Sequence, residues 1–438
     1  MAVESGTAAG EEAVAESGGS RFGPVGRRLR SSPPTARLLV IVVGVIMTVI
    51  KVWFAGSTMG TTDAFYWTAF ADAVRQVGPI RVYSFFPDGG EILYNHPPVS
   101  GYWLWFLNGI ESTFGPSIRF MVRVTASVAD LVTTLVVFEM IRRRQDLPLA
   151  TASALLVAMS PVLLIISGFH ANTDPVFAML VILAAYLLVD RNAPVGAGVA
   201  LGLAFGVKIV PVVVVPLFVV WALIAGRRVL LRFAAALALV VLLTWVPALV
   251  GEWDRVMRNV VGYAGISVRQ WGLPQVVTWM GNPDWAAGVI TGPWRFVALL
   301  IGAGVPAWLV WRRPEALPAA LGIALGLLLI LSPAFGHQYL VWPAAALFFV
   351  SLVGGALYNL AAGLLIVVVY TRWNGGFPWD TAWGSPMTPP EVFLAFGVWA
   401  LLLVVVVRGI LAQARQPADP VGLPERLRRG GFRRPAAR

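Results

Sequence analysis

The chain has 438 residues, 58% hydrophobic and 13% charged, with a mean hydropathy of +0.76. Soluble domains carry roughly 25% charged residues, so a chain this apolar lacks the polar surface to cover a core in water, and lipid must be the solvent for most of it. The absence of cysteine excludes disulfides, a thiol nucleophile and thiolate-bound metal. The +11 net charge lies in short arginine clusters between apolar runs, a topology signal rather than a nucleic-acid surface.

Residues 1–35 are rich in Gly, Ala, Ser and Glu and then in Arg, and are expected to form a disordered cytoplasmic tail. The run from Arg37 to Ala55 is long enough to span, and its flanks read as a retained anchor rather than a cleaved signal. Residues 56–118 follow as a long first outer loop without a clean span. Its Trp67, Trp103 and Trp105 predict helices lying in the membrane interface. Further spans are expected near 119–141, 147–166, 175–190, 195–210, 211–226, 229–250, 286–311, 316–332, 339–355, 356–371 and 391–411. The fold class is therefore all-α, a polytopic transmembrane helical bundle of about twelve spans. A second large outer loop covers 251–285, and a basic cytoplasmic tail covers 412–438.

This count puts both termini and the arginine clusters at 142–144, 227–232 and 312–313 on the cytoplasmic side. Its soft point is 195–226, where Pro211 and Pro216 interrupt two short apolar segments. Losing one pass there would invert everything that follows.

The same topology collects the reactive polar residues on the opposite, extracytoplasmic rim. All three histidines, His96, His170 and His337, fall there, as do Asp63, Asp72, Asp88, Glu91, Asp174 and Asp380. Asp63 opens the first loop and is read as a general base, an N-cap for the next helix, or both. Pro97 and Pro98 suit a helix start beside His96. Asp174 before Pro175 reads as another N-cap, at a rim position that favours anions. Lys208, one of two lysines, either snorkels outward or pairs with an anion. His337, Gln338 and Tyr339 form a turn able to hydrogen-bond a phosphate or sugar. Arg269 adds a cation, and Trp271 and Trp373 suit sugar stacking. Asp130 lies inside a span without a partner evident in the sequence. No phosphate-binding glycine loop, dinucleotide fingerprint, zinc-protease helix or serine-hydrolase elbow sits where it could work.

At these residues the chain resembles the multi-spanning glycosyltransferases of the C-type superfamily, in particular the branch that uses polyprenyl-phosphate mannose. The resemblance rests on the order of short elements between about residues 36 and 345: Asp63 after the first span, His96-Pro97-Pro98, Ser160-Pro161 with Gly168, His170 and Asp174, Gly206 with Lys208 and Pro211, and His337-Gln338-Tyr339-Leu340 with Trp342. It implies an extracytoplasmic site in the plasma or inner membrane. It also implies transfer with inversion from a polyprenyl-phosphate sugar, mannose by resemblance alone, to a glycolipid, glycan or protein acceptor. Asp63 is then the catalytic base, and His96, His170, Asp174, Lys208, Arg269, His337, Gln338 and Tyr339 bind substrate or the lipid phosphate. The chain lacks a paired Asp-x-Asp at 63, with Asp72 the next acid, so no metal or other cofactor is expected. Two other classes stay open: a transporter or flippase of a lipid-linked or polar solute, and a non-catalytic envelope-assembly protein.

Overall fold

The computed structural model describes residues 33–85, 93–263 and 270–418. The calls on Asp88, Glu91, Arg269 and most of both tails lie outside the described residues. Eight helices among these residues are long and apolar enough to cross a membrane. They are Pro33–Ser57 (α1), Ile118–Arg142, Leu147–His170, Arg227–Val261, Trp294–Arg312, Pro314–Leu331, Leu352–Trp373 and Pro389–Ala414. They coincide with eight of the expected spans. The other four expected passes are occupied by shorter helical pieces: Asp174–Ala185 with a π-turn to Asp190, Pro194–Val207, Val210–Ala225, and the broken helical stretch from His337 to Phe349. Among the described residues the twelve expected passes are thus eight long apolar helices and four shorter helical pieces packed among them.

The weak stretch at 195–226 turns back on itself. Gly198, Gly202 and Gly206 form one small-residue face of Pro194–Val207, spaced one helical turn apart. A Cβ at Gly198 would lie 2.4 Å from the Phe233 carbonyl oxygen, one at Gly202 2.8 Å from Val240 Cβ, and one at Gly206 3.8 Å from Thr244 Oγ1. Both numberings rise together, so Pro194–Val207 runs parallel to Arg227–Val256. Parallel neighbours require the intervening 210–225 segment to run back along the bundle. Two passes thus lie between Asp190 and Arg227, as the arginine positions demanded.

The arginine clusters gather at one end. Arg37 pairs with Glu139 at 2.6 Å, Arg144 with Asp190 at 3.0 Å, and Arg312 donates to the Ala414 carbonyl at 2.9 Å. His170, Lys208 and Glu391 sit at the opposite ends of helices Leu147–His170, Pro194–Val207 and Pro389–Ala414, and Asp63 and Gln338 meet there beside His170.

The expected first loop is folded. Gly60–Thr61 (β1) leads into helix Thr62–Arg81 (α2), and Pro98–Phe114 (α3) follows with Pro97 as its N-cap residue. Trp67, Leu104 and Leu107 of these helices build a core of their own against Ile118 and Trp245. Trp67 is buried, whereas Trp105 is 62% exposed.

Three polar contacts pin this loop to the bundle. Arg123, fully buried, donates to Thr58 Oγ1 and to the Thr58 carbonyl, each at 3.0 Å. Gly60 adopts φ +94, and a Cβ there would meet the Phe169 carbonyl at 2.8 Å, so only glycine lets the strand come this close. β1 pairs in parallel with Thr381–Ala382, Gly60 opposite Thr381.

Asp130 finds the partner its sequence did not name. Lys51 Nζ lies 2.6 Å from Asp130 Oδ2, with 2% and 4% of the two side chains exposed. Ser167 Oγ donates to the same oxygen at 2.6 Å. The pair joins α1 to Ile118–Arg142 and to the π-turn Ile166–His170. Removing one partner from such a buried pair strands a charge and costs about 3–5 kcal/mol. Lys51→Met is therefore expected to lower thermal stability in detergent sharply. Lys51→Met combined with Asp130→Asn, which removes both charges and keeps the Ser167 bond, is expected to recover most of that loss in the same melting experiment.

Candidate active site

Asp63 is the second residue of α2. Thr61, not Asp63, caps this helix, accepting from the Asp63 backbone N–H at 3.3 Å. The carboxylate is thereby released from capping and turns to the bundle. Three side-chain donors converge on its Oδ2: His170 Nε2 at 3.0 Å, Asn172 Nδ2 at 2.9 Å and Gln338 Nε2 at 3.5 Å. Oδ1 has no partner among the described contacts, and the side chain is 28% exposed. Oδ2 is thus anchored, and Oδ1 is unpartnered among the described contacts.

His170 ends a π-turn and is followed by Ala171 at φ 67, a strained backbone position at which the chain reverses. Its ring lies between two helices. Nε2 meets Asp63, while Nδ1 lies 2.5 Å from the Tyr370 hydroxyl and 3.3 Å from Thr61 Oγ1. Thr61 donates instead to the His170 carbonyl at 2.8 Å.

Lys208 follows Val207, where Pro194–Val207 ends in extended backbone. Its ammonium lies 2.7 Å from Asp174 Oδ1 and 3.4 Å from Asn172 Oδ1, and 6.0 Å from the centre of the Tyr339 ring. The ammonium is thus ion-paired with Asp174 and donates to Asn172. Its side chain is 14% exposed.

Asp174 departs from expectation twice. It does not cap its helix, since Thr173 occupies the N-cap position. It is also fully buried, ion-paired with Lys208 through Oδ1 and accepting from Trp342 Nε1 at 3.2 Å through Oδ2, so it positions Lys208 and cannot itself touch a substrate.

The remaining candidates stand behind or beside this centre. His96 packs on Trp67, ring centres 4.4 Å apart, and has no side-chain hydrogen bond among the described contacts. Burial and the Lys208 charge push it down to about 3, against a smaller opposing pull from Asp63. His337 lies edge-on to Trp373 at 4.9 Å and to Tyr370 at 5.8 Å. Burial, above all, also holds His337 at about 3. Both rings are therefore neutral at physiological pH and act, where they act, as hydrogen-bonding groups rather than cations. Trp271, expected as a stacking platform, is 1% exposed and stacked on Phe335, so it is a core residue. Trp373 stacks on Tyr370 at 5.4 Å, behind His337. Asp72 faces Arg75. Among the described residues no three carboxylate or imidazole groups are close enough to hold a metal ion.

Asn172 and Tyr370 were missed by sequence reasoning, although both touch the central pair. Asn172 lay in plain view between His170 and Asp174, and its side chain bridges Asp63 to Lys208. Tyr370 had a fainter signal, a tyrosine at the rim end of an otherwise apolar span.

Burial pushes the Asp63 carboxyl up. The neighbouring His170, hydrogen bonds from His170 and Asn172, and the Lys208 charge together outweigh it and hold Asp63 below its ordinary value. The site thus offers an ionised carboxylate with one oxygen unpartnered among the described contacts, beside the Lys208 ammonium.

Residues 95–250 match the family model described as dolichyl-phosphate-mannose-protein mannosyltransferase. A curated relative, undecaprenyl phosphate-alpha-4-amino-4-deoxy-L-arabinose arabinosyl transferase 2 of Pseudomonas fluorescens, is 25% identical over 242 residues, covering 50% of this chain. The chain spans 39% of that relative's length. These matches bear out the resemblance to the C-type glycosyltransferases, and the family match includes His96, His170, Asp174 and Lys208.

The histidine shifts set an acid dependence of stability. His337 is neutral when folded and free to take a proton when unfolded, so its contribution is complete above about pH 6.5 and is lost as pH falls toward 3. Asp63, whose folded value is lowered, adds its own loss only below about pH 4. Melting curves between pH 7 and 5 are expected to show wild type losing stability more steeply than His337→Gln, by up to about 1.4 kcal/mol per pH unit. Asp63→Asn should leave that slope unchanged.

Proposed function

We propose that the protein is a membrane glycosyltransferase that moves a sugar from a polyprenyl-phosphate donor to an acceptor hydroxyl, with inversion and with Asp63 as general base. The observation that carries this reading is the asymmetry of the Asp63 carboxylate, with three donors on Oδ2 and an open Oδ1. In the reaction the acceptor oxygen attacks the anomeric carbon from the face opposite the phosphate. The bond from that carbon to the phosphate oxygen breaks, the acceptor proton passes to Asp63 Oδ1, and the polyprenyl phosphate leaves with the bonding pair. The Lys208 ammonium meets the departing phosphate, where a cation stabilises charge that grows in the transition state. Asp174 and Asn172 aim that cation, and Gln338 and His170 hold the base.

The family match favours mannose as the sugar, whereas the curated relative is named for 4-amino-4-deoxy-L-arabinose; we favour mannose. The acceptor is a glycolipid, glycan or protein of the cell envelope. The arginine-rich end of the bundle faces the cytoplasm and the Asp63 end faces away from it, by the positive-inside tendency. A transporter would need charged groups along a path through the bundle. The interior charges here are instead closed on themselves, Lys51 on Asp130 and Arg123 on Thr58.

Purified protein given synthetic polyprenyl-phosphate mannose and a set of acceptors is expected to release polyprenyl phosphate and form product. Asp63→Asn should slow transfer about 10²–10⁴-fold, while Lys208→Met should raise the donor KM. Equal rates for wild type and Asp63→Asn would remove the base assignment. A single cysteine at position 380, in an otherwise cysteine-free chain, should react with an impermeant thiol reagent from outside intact cells; protection there would reverse the sidedness.

A further inference from the structure

Tyr370 is fully buried at the end of the helix Leu352–Trp373. Its hydroxyl lies 2.5 Å from His170 Nδ1 and meets no other polar partner among the described contacts. That geometry limits how protons can be arranged. The Asp63 carboxylate only accepts, so His170 Nε2 must carry a hydrogen to bond it. A buried tyrosine hydroxyl with one neighbour must spend its hydrogen on that neighbour or leave it unsatisfied. Both conditions are met only when His170 is neutral, with its hydrogen on Nε2 and its lone pair on Nδ1. Thr61, the other hydroxyl near Nδ1, is already committed to the His170 carbonyl. A charged His170 would carry a hydrogen on Nδ1 as well and leave the Tyr370 hydroxyl without an acceptor.

We infer that Tyr370 is a positioning residue for the proposed transfer, one that fixes His170 as the Nε2–H tautomer and so keeps a donor on Asp63 Oδ2. The inference rests on the reading of Asp63 as base. The order of groups, carboxylate outward, imidazole in the middle and phenol inside, makes the carboxylate the proton acceptor and the imidazole its holder. Without the phenol, the His170 ring can shift its hydrogen to Nδ1 and present a lone pair to the carboxylate, which would repel it and make Asp63 take a proton more readily. The other titratable or charged groups facing Asp63 are Lys208 from the end of Pro194–Val207, His96 from the first loop, Tyr263 after the Arg227–Val261 helix, and His337 and Tyr339 from the 337–340 turn, with Asp174 behind Lys208. All of them stay in place in Tyr370→Phe.

The chain has three histidines, so protein labelled with 15N in its imidazoles gives three ring systems, and His170→Asn identifies the one of interest. Wild type is expected to show His170 protonated on Nε2 and bare on Nδ1 at neutral pH. Tyr370→Phe should show Nδ1 wholly or partly protonated, while Thr61→Val should resemble wild type. In the transfer assay Tyr370→Phe should move the acid limb of kcat up by about one pH unit, with KM for the polyprenyl-phosphate sugar within about twofold of wild type. Nδ1 protonation in wild type, or unchanged His170 nitrogen resonances in Tyr370→Phe, would overturn the inference. Should Tyr370→Phe fold poorly, the wild-type spectrum alone still decides the tautomer. Absence of transfer by wild type with any polyprenyl-phosphate sugar would instead remove the enzymatic reading, leaving the nitrogen spectra to stand or fall by themselves.

Discussion

The buried pair of Lys51 and Asp130 is the contact on which the rest of the bundle depends. Two full charges held 2.6 Å apart with almost no solvent tolerate little movement, because any separation in a low-dielectric interior is costly in both directions. They fix the depth of the first helix against Ile118–Arg142. Ser167, bonded to the same Asp130 oxygen, carries that fixed depth into the π-turn. His170 is three residues farther along that turn, so the height of the imidazole at the rim is set by an ion pair well inside the bundle. A π-turn inserts an extra residue into the helical ladder and is often found where a side chain must be aimed; here it delivers His170 to Asp63.

The first loop is docked by the complementary device. Asp63 belongs to a helix that does not cross the bundle but packs on the rim ends of Ile118–Arg142 and Arg227–Val261 through Trp67 and its neighbours. Its position comes from Arg123 gripping Thr58, from the close passage of Gly60 over Phe169, and from the Asp380 carbonyl accepting the Met59 and Gly60 N–H groups at 2.9 and 3.0 Å. Arg123 has no carboxylate partner among the described contacts and spends its donors on hydroxyl and backbone oxygens instead. That use suits a guanidinium, which offers five N–H groups in a rigid plane. The loop and the bundle therefore meet at a polar seam, and Asp63 lies at its open end.

Much of this was legible beforehand because the bilayer imposes it. Runs such as 229–250 and 391–411 could be nothing but membrane helices, and the arginines at 142–144 and 312–313 assigned a shared end to several of them. Asp63, His170, Lys208 and Gln338 were legible as a group because polar residues at one rim of an apolar bundle have few places to go. Their division of labour was not legible. Whether Asp174 would cap its helix or pair with Lys208 depends on the direction of Pro194–Val207, which follows from the close packing of Gly198 and Gly202 on a helix some forty residues later. The glycine spacing was present in the sequence, but a small-residue face names no partner. Lys51 and Asp130 are 79 positions apart, and Tyr370 is 200 from His170; contacts at such separations have no local pattern. Trp271 failed for the opposite reason. A tryptophan in an outer loop suits sugar stacking and core packing equally, and only the position of Phe335 decided between them.

A carboxylate crowded by three donors and a nearby ammonium is a weak base, too weak by itself to remove a proton from a free alcohol. The proposed reaction makes that weakness tolerable. When glycosyl transfer passes through an oxocarbenium-like state, the bond to the leaving group is largely broken before the new bond is complete. The acceptor hydroxyl becomes acidic only as its oxygen takes on the anomeric carbon, and at that stage even a weak carboxylate can receive the proton. What the site must guarantee is that the base is already ionised and that its free oxygen points at the acceptor. The donors on Oδ2 meet both needs, since they lower the affinity of Asp63 for a proton in the resting state and prevent rotation that would exchange its two oxygens. In the proposed reaction the larger demand falls on the departing phosphate, and Lys208 would meet it, with buried Asp174 as a counter-ion that orients the ammonium without competing for the substrate.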